Sequence, residues 1–368
     1  MFLYLVNTMI MIVGLSLVVQ SVRAAALTPQ KIHVIVNPYG GGGAGLATLE
    51  TVLPAFEAAG IAVTTLVTEY AGHAGEYAKS VPLLDGLVGI GGDGTAHEIA
   101  NGMLSRPADE RVPIGIIPSG SGNTWAFDLG FKDAVTAVKA IVSGDTQSVD
   151  VMAIGAADDP SSVREYAINI AGFGMPAAVL EVANDLRWLG SAQYELAGLV
   201  LIATGKTSFG ATLELETADG SVIRREVSDF SFAQAQINAH MGKKVCFAPG
   251  AEMNDGLLDL CLITKSGGLD ILHANALARG AAHLSLPFVE LIRCKSLVLT
   301  PTRTPGGVDA SLNLDGELSG IGPFRAECVP RALQVYASSL NEEPMDTSAD
   351  LEPQLVLSLV RLLEGQEE

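Results

Sequence analysis

The residue whose surroundings most constrain its chemistry is Asp93, in the run Gly91-Gly92-Asp93-Gly94-Thr95-Ala96-His97-Glu98. Gly91, Gly92 and Gly94 let a backbone approach an anionic group closely. A helix predicted to begin near Thr95 points its free N–H groups and positive dipole end at the same place. A carboxylate in such a cradle repels phosphate unless it serves the chemistry, by binding Mg²⁺, by accepting a proton from an attacking hydroxyl, or by both. The competing reading of Asp93 is a helix N-cap. One turn on, His97 and Asn101 share a face at i,i+4 spacing with Glu98 beside them, and read as packing or supporting residues rather than ligands.

Two further glycine loops carry polar groups. Gly40, Gly42 and Gly45 formally satisfy GxGxxG, with Glu69 placed where a ribose-binding acid would sit, which by itself suggests a dinucleotide enzyme. That match is weak, because a GGGGAG run satisfies many glycine patterns and Asn37-Pro38-Tyr39 precedes the glycines. Gly205-Lys206-Thr207 resembles the end of a P-loop, but Val200 stands where its first glycine is required. In the third loop Ser119, Ser121 and Asn123 alternate with Gly120 and Gly122, so hydroxyls and an amide are offered to phosphate or ribose oxygens without added charge. A simple capping turn is the alternative for that loop alone. Three such loops together indicate a phosphorylated ligand.

The elements that must position these loops alternate. KIHVIVN, IAVTTLVT, GLVGI and PIGIIP read as strands, each followed by a loop and a helical pattern, which implies parallel crossovers and an open α/β sheet. Such sheets bind ligands beyond the carboxyl ends of their strands, where all three loops are expected. After about residue 150 the pattern changes to short strands and turns, including a hairpin around Asp219-Gly220, with one helical insert at LDILHANALARGAAH. The expected fold class is α/β plus β: an open α/β nucleotide-binding domain over residues 28–150 and a β-sandwich over 151–340. An apolar segment, 1–27, precedes them and an acidic tail with apolar residues at helical spacing, 341–368, follows.

Composition narrows the classes. The 368 residues are 48% hydrophobic and 17% charged with 40 glycines, which excludes a disordered chain, a coiled coil and a collagen-like repeat. A net charge of -19 argues against wrapping a nucleic-acid backbone. Cys246, Cys261, Cys294 and Cys328 form no CxxC pair and read as reduced, buried thiols without a zinc site, a Cys246–Cys261 bridge being the one pairing considered. In segment 1–27 no charged residue precedes Arg23, and Asn7, Thr8 and Gln20 interrupt the apolar run. Arg23 and Lys31 follow it, which favours a membrane tether with the body on the cytoplasmic face over secretion; a buried strand or a misassigned start is the alternative.

VNPYGGGGAG, TEYAGHAGEYAK, GIGGDGTAHEIANGM, GIIPSGSGNTWA, FAPGAEMNDGLLDL and NLDGE stand in the order seen in the diacylglycerol kinase catalytic-domain family, which includes sphingosine kinases, ceramide kinases and bacterial lipid kinases. Residues 31 to 337 resemble that family. GGDGT alone is shared with NAD kinases; GSGN with the distal DGLLD and DGE motifs narrows the likeness to lipid kinases. The resemblance implies ATP and Mg²⁺ in a cleft between the two domains, a lipid alcohol entering the second, a membrane surface as partner, and room for a homodimer. By motif match, ATP contacts are expected from Asn37, Gly40, Gly42, Gly45, Thr68, Gly92, Gly94, Thr95, Ser121 and Asn123. Asp93 matches the aspartate that deprotonates the lipid hydroxyl. Asp315, Gly316 and Glu317 match a motif beside the nucleotide, where a base role is the competing assignment. Arg187 matches a phosphate-directed arginine. Aspartates that hold the polar head in sphingosine kinases align with Ala178 and Leu180, and a second arginine with Gln193, so Glu181 is the candidate head-group acid and the lipid stays open among diacylglycerol, sphingoid base and ceramide. The other readings are an NAD kinase-like metabolite kinase, a non-catalytic lipid or nucleotide sensor, and last an oxidoreductase.

Overall fold

The computed structural model describes residues 29–337 apart from 83, 84, 160, 187, 188, 190, 191, 243, 244, 303–310 and 321. Segment 1–27, the tail 341–368 and Arg187 lie outside the described residues, and so do the expectations placed on them. Strands β1 (Lys31–Val36), β2 (Ala62–Val67), β3 (Gly86–Gly91) and β4 (Ile114–Pro118) pair in parallel in the order β2-β1-β3-β4. Their crossovers carry helices α1 (Gly45–Ala58), α2 (His73–Ser80) and α3 (Asp93–Leu104); α4 (Thr124–Asp128) and α5 (Ala134–Ser143) follow β4. The right-handed crossover rule puts α1 on one face and α2 with α3 on the other, which is why β1, β3 and β4 are near-continuous apolar runs. Ile32, Val34, Ile35, Val88, Ile90, Ile116 and Ile117 are buried, whereas the edge strand β2 is largely exposed.

Missing side chains set the height of α3. A Cβ on Gly102 would stand 2.3 Å from the Gly75 carbonyl oxygen and 2.7 Å from Ala78 Cβ, and one on Gly89 would stand 2.7 Å from Ile99 Cδ1. The helix is therefore pressed against both α2 and β3, which fixes where its first residue, Asp93, meets the sheet edge.

The second half contributes β5 (Thr146–Ala156), β6 (Val163–Ala167), β7 (Ile170–Gly174), α6 (Met175–Asn184), α7 (Ala192–Ala203), β8 (Phe209–Thr217), β9 (Val222–Phe230), β10 (Phe232–Gln236), β11 (His240–Met241), β12 (Val245–Cys246), β13 (Leu258–Ile263), α8 (Gly268–Ala278), β14 (Val289–Thr302), β15 (Leu312–Leu314), β16 (Glu317–Ser319) and β17 (Phe324–Tyr336). One layer runs β16-β15-β7-β10-β13-β14 and the other β6-β5-β17-β14-β8-β9. Strand β14 belongs to both: Val289 to Cys294 pair with β13, and beyond an irregularity at Cys294/Ser296 the strand pairs with β8 and β17. Such layer-switching strands form the corners of a sandwich. Between the layers lie Met152, Phe173, Phe209, Leu213, Phe230, Leu260 and Leu297. The predicted α/β-plus-sandwich class is what the structure shows, with the β8–β9 hairpin turning at Gly220.

The two halves share β17. Its Val335 pairs in parallel with Ile114 of β4, and the Tyr336 ring fills the space left by Gly86 and Gly115. All four cysteines are free; Cys261, Cys294 and Cys328 are buried, but Cys246 is only half-buried, because its two-residue strand lies at a hairpin rather than in a sandwich layer.

Gly102→Val introduces a branched side chain against the Gly75 carbonyl, and is expected to lower unfolding free energy by about 2–3 kcal/mol, read as a drop in the urea midpoint.

Candidate functional site

The three glycine loops leave one sheet edge and touch one another. Asn37 N–H donates to Ile90 O (2.9 Å), Thr68 N–H to Val36 O (2.9 Å) and Ser119 N–H to Gly91 O (2.8 Å), so the ladder continues one step past the strands before the loops diverge. A Cβ on Gly41 would lie 2.0 Å from Ser119 O, and one on Gly120 2.5 Å from Gly92 Cα. Several glycines thus let backbone rest on backbone. Gly42 and Gly94 are different: a Cβ on either would meet nothing within 4 Å, so open space adjoins them. Gly45 is buried, its absent side chain making room for the Asn37 carbonyl oxygen, 2.1 Å from a Cβ there.

The polar side chains of these loops are largely engaged with one another. Asn37 donates through Nδ2 to Thr95 Oγ1 (3.3 Å) and accepts from Tyr39 N–H (3.0 Å). Asn123, at φ 55°, accepts from Gly120 N–H and donates to Gly120 O (2.9 and 2.7 Å). Thr68, Thr95 and Asn123 are buried, while Ser121 is exposed.

Asp93 is the first residue of α3, with Gly92 at the cap position, so its carboxylate does not cap its own helix. It caps α4 instead: Oδ2 accepts from Thr124 N–H (3.1 Å) and Oδ1 from Trp125 N–H (3.0 Å). Gly122 is bare beneath it, since a Cβ there would stand 2.9 Å from Oδ2. Half-buried, Asp93 keeps lone pairs free. Burial above all, and also the charge of Asp315, push its carboxyl above the usual range against the pull of the Trp125, Thr124 and Asn123 N–H groups.

Asp315 lies across from it on the sandwich. Asp315 and Gly316 form the two-residue turn between β15 and β16, both at positive φ (51° and 96°), the conformation that Asp-Gly hairpins adopt. Asn313 Oδ1 accepts from Gly316 N–H (2.9 Å) and braces the turn. The Asp315 carboxylate, with no exposed side-chain surface, accepts from the N–H groups of Ile168, Asn169 and Ile170 (2.7, 2.8 and 2.8 Å) and from His97 Nδ1 (2.8 Å). His97 Nε2 donates to Glu165 Oε1 (2.9 Å). Burial by itself would lower the His97 pKa, but Asp315 and Glu165 outweigh it and raise the value to about 10. Asn101 completes the row, bonding Tyr166 N–H and C=O (2.9 and 2.8 Å) as a strand would.

The remaining expected residues divide by exposure. Gly316 and Glu317 are exposed beside buried Asp315. Glu181 on α6 accepts from Ser311 N–H and Oγ–H (3.2 and 2.7 Å), which ties that helix to the approach to β15. Among the described residues no group of three His, Cys, Asp or Glu is placed to hold a metal ion by itself. Glu165 and the α4 N–H groups went unrecognised in the sequence. VREYA carries no motif, and only the i,i+4 row of α3 hinted that a partner would face His97.

Residues 31–154 match the family model for the diacylglycerol kinase catalytic domain, and residues 169–337 match that for the YegS C-terminal NAD kinase beta sandwich-like domain. Sphingosine kinase 1 of Arabidopsis thaliana is 27% identical over 84% of this chain and 72% of its own length. Diacylglycerol kinase of Bacillus subtilis is 27% identical over 86% and 99%. Human ceramide kinase is 33% identical over a shorter stretch, 46% of this chain and 35% of that protein. A crystal structure of a diacylglycerol kinase from Bacillus anthracis superposes with a TM-score of 0.65 at 23% identity, over 84% and 98% of the two chains, which speaks to the fold.

Because the folded His97 pKa, about 10, exceeds its ordinary 6.5, this ring's stabilisation is complete below about pH 6.5 and is lost as pH rises through about 10. Urea midpoints should therefore fall between about pH 7 and pH 10, and His97→Gln should flatten that decline.

Proposed function

Given that this chain belongs to the diacylglycerol kinase catalytic-domain family of lipid kinases, we propose that it transfers the γ-phosphate of MgATP to the primary hydroxyl of a lipid alcohol. The observation that carries this reading is Asp93: a half-buried carboxylate with a raised pKa, held by two backbone N–H groups where three glycine loops converge. A raised pKa suits a group that must accept a proton near neutral pH. Asp93 takes the proton of the lipid hydroxyl as its oxygen bonds to the γ-phosphorus and the bond from phosphorus to the ADP oxygen breaks. The first N–H groups of α3, which lack partners inside the helix, and the open ground beside Gly42 and Gly94 receive phosphate oxygens. Mg²⁺, when bound with ATP, supplies neutralisation of the phosphate charge.

Asp315 does not suit the base role, since four donors occupy its oxygens and leave no face for a substrate hydroxyl. Exposed Gly316 and Glu317 are the members of that turn open to a nucleotide. Glu181, already bonded to Ser311, leaves its second oxygen for a lipid head group. The lipid reaches the site from a membrane surface, although among the described residues no helix is long and apolar enough to cross one.

Full-length protein given MgATP labelled at the γ-phosphate, with diacylglycerol, sphingosine, ceramide and NAD as acceptors, should label a lipid. Asp93→Asn should lower that turnover by roughly 10²–10⁴-fold while ATP affinity stays within a few-fold. Label in NAD alone, or wild-type turnover in the variant, would refute the reading.

A further inference from the structure

We propose that His97 is a positioning residue of the transfer reaction: bonded through both ring nitrogens to carboxylates of the sandwich, it holds the start of α3 against the β15–β16 turn and offsets negative charge beside Asp93. This role rests on the phosphoryl-transfer reading above.

Hydrogen-bond geometry gives the ring its charge. Asp315 already accepts from three backbone N–H groups, so its oxygen facing Nδ1 at 2.8 Å acts as an acceptor and Nδ1 carries a hydrogen. Nε2 faces Glu165 Oε1 at 2.9 Å. The Asn101 amide, 3.3 Å from Nε2, has its two hydrogens directed to the carbonyls of His97 and Tyr166. Both nitrogens therefore donate, and the ring is a cation.

The groups around Asp93 set the charge balance that this cation enters. From α4 it faces the Thr124 and Trp125 N–H groups, while Asp128 of that helix is paired with His240 of β11 (2.5 Å). From the β15–β16 turn it feels Asp315. On α3 itself His97 lies one turn away on the same face, and Glu98 is turned aside to the N–H groups of Gly72 and Ala74 (2.9 and 3.1 Å). From β6, Glu165 faces His97 with about a third of its side chain exposed. Three carboxylates thus share the seam, and the positive charge placed among them is this ring. Without it Asp93 would hold its proton more tightly and accept the substrate's less readily near neutral pH.

The test compares kcat against pH for wild type, His97→Gln, Glu165→Gln and the double variant, with MgATP and the lipid that labels best, alongside ¹⁵N-histidine NMR of the wild type. His97→Gln should move the acid limb up by about one pH unit and lower kcat near pH 7 about tenfold, with KM for ATP within about threefold. Glu165→Gln removes a negative charge and should move the limb down by about half a unit; the double variant should lie between. The NMR spectrum should show the His97 ring doubly protonated at about pH 8.5, where an ordinary histidine is neutral. Limbs that stay put in both variants, or shift the same way, or a neutral ring at that pH, would overturn the role. Should His97→Gln fail to fold, the Glu165→Gln profile and the NMR spectrum decide. Wild-type protein that labels no acceptor removes the transfer reading and this role together, whereas labelled lipid with unmoved limbs removes this role alone.

Discussion

Backbone N–H groups left without a helix or ladder partner need acceptors, and in this protein carboxylates from distant parts of the chain repeatedly provide them. Asp85 accepts from Gln30 and Lys31, Glu98 from Gly72 and Ala74, Asp93 from Thr124 and Trp125, Asp150 from Gly256 and Arg331, and Asp315 from Ile168, Asn169 and Ile170. Each joins segments far apart in sequence. Loops at the edge of a parallel sheet cannot satisfy their own N–H groups in a ladder, and a charged acceptor makes a stronger bond than a neutral one. The positions of α4 and of the β15–β16 turn follow from these bonds. Some of the acidic charge of the chain is thus spent inside the structure rather than on its surface.

Concentrating carboxylates inside carries an electrostatic cost that must be met locally. Asp93, Asp315 and Glu165 approach one seam from three elements, and His97 stands between two of them. The seam is also where α3 meets the sandwich, with Asn101 bonding Tyr166 one turn further along. Helix position and local charge balance are therefore set by the same side chains. At the other end β17 crosses from one sheet to the next, so a strand joins the halves as well as this polar row.

The fold was legible because its signals are periodic. Apolar runs of strand length, separated by helical spacing, specify a parallel sheet, and the later change to short strands specifies a sandwich. Helix α5 escaped that reading although Asp133 and Thr136 form a capping box at its start, and the layer switch of β14 has no period at all. At the candidate site the sequence located the loops but not what fills them. Asn37, Thr95 and Asn123 have the polarity of ligand-binding groups, yet their hydrogen-bond partners are one another and the local backbone. Polarity within a motif indicates that a group needs a partner; only the folded chain decides whether that partner is protein. Glu165 shows the converse, an unremarked residue made relevant by the strand that brings it to His97.

Asp93 and Asp315 show how one functional group is held in two different settings. Both stand in turns rich in glycine, both accept backbone N–H bonds, and either could be read as a base from its motif. Donor number and exposure separate them. Asp315 receives four hydrogen bonds, one from His97, with no side-chain surface exposed, so its oxygens are already occupied. Asp93 accepts fewer, the Thr124 and Trp125 N–H groups chief among them, stays half-buried, and carries a raised pKa because desolvation outweighs its bonds. A carboxylate saturated with donors is cement, and one left short of them beside open space keeps lone pairs for another partner, the setting on which the proposed base role rests. The difference arises from the helix and turn that each residue occupies, and the fold supplies it before any ligand arrives.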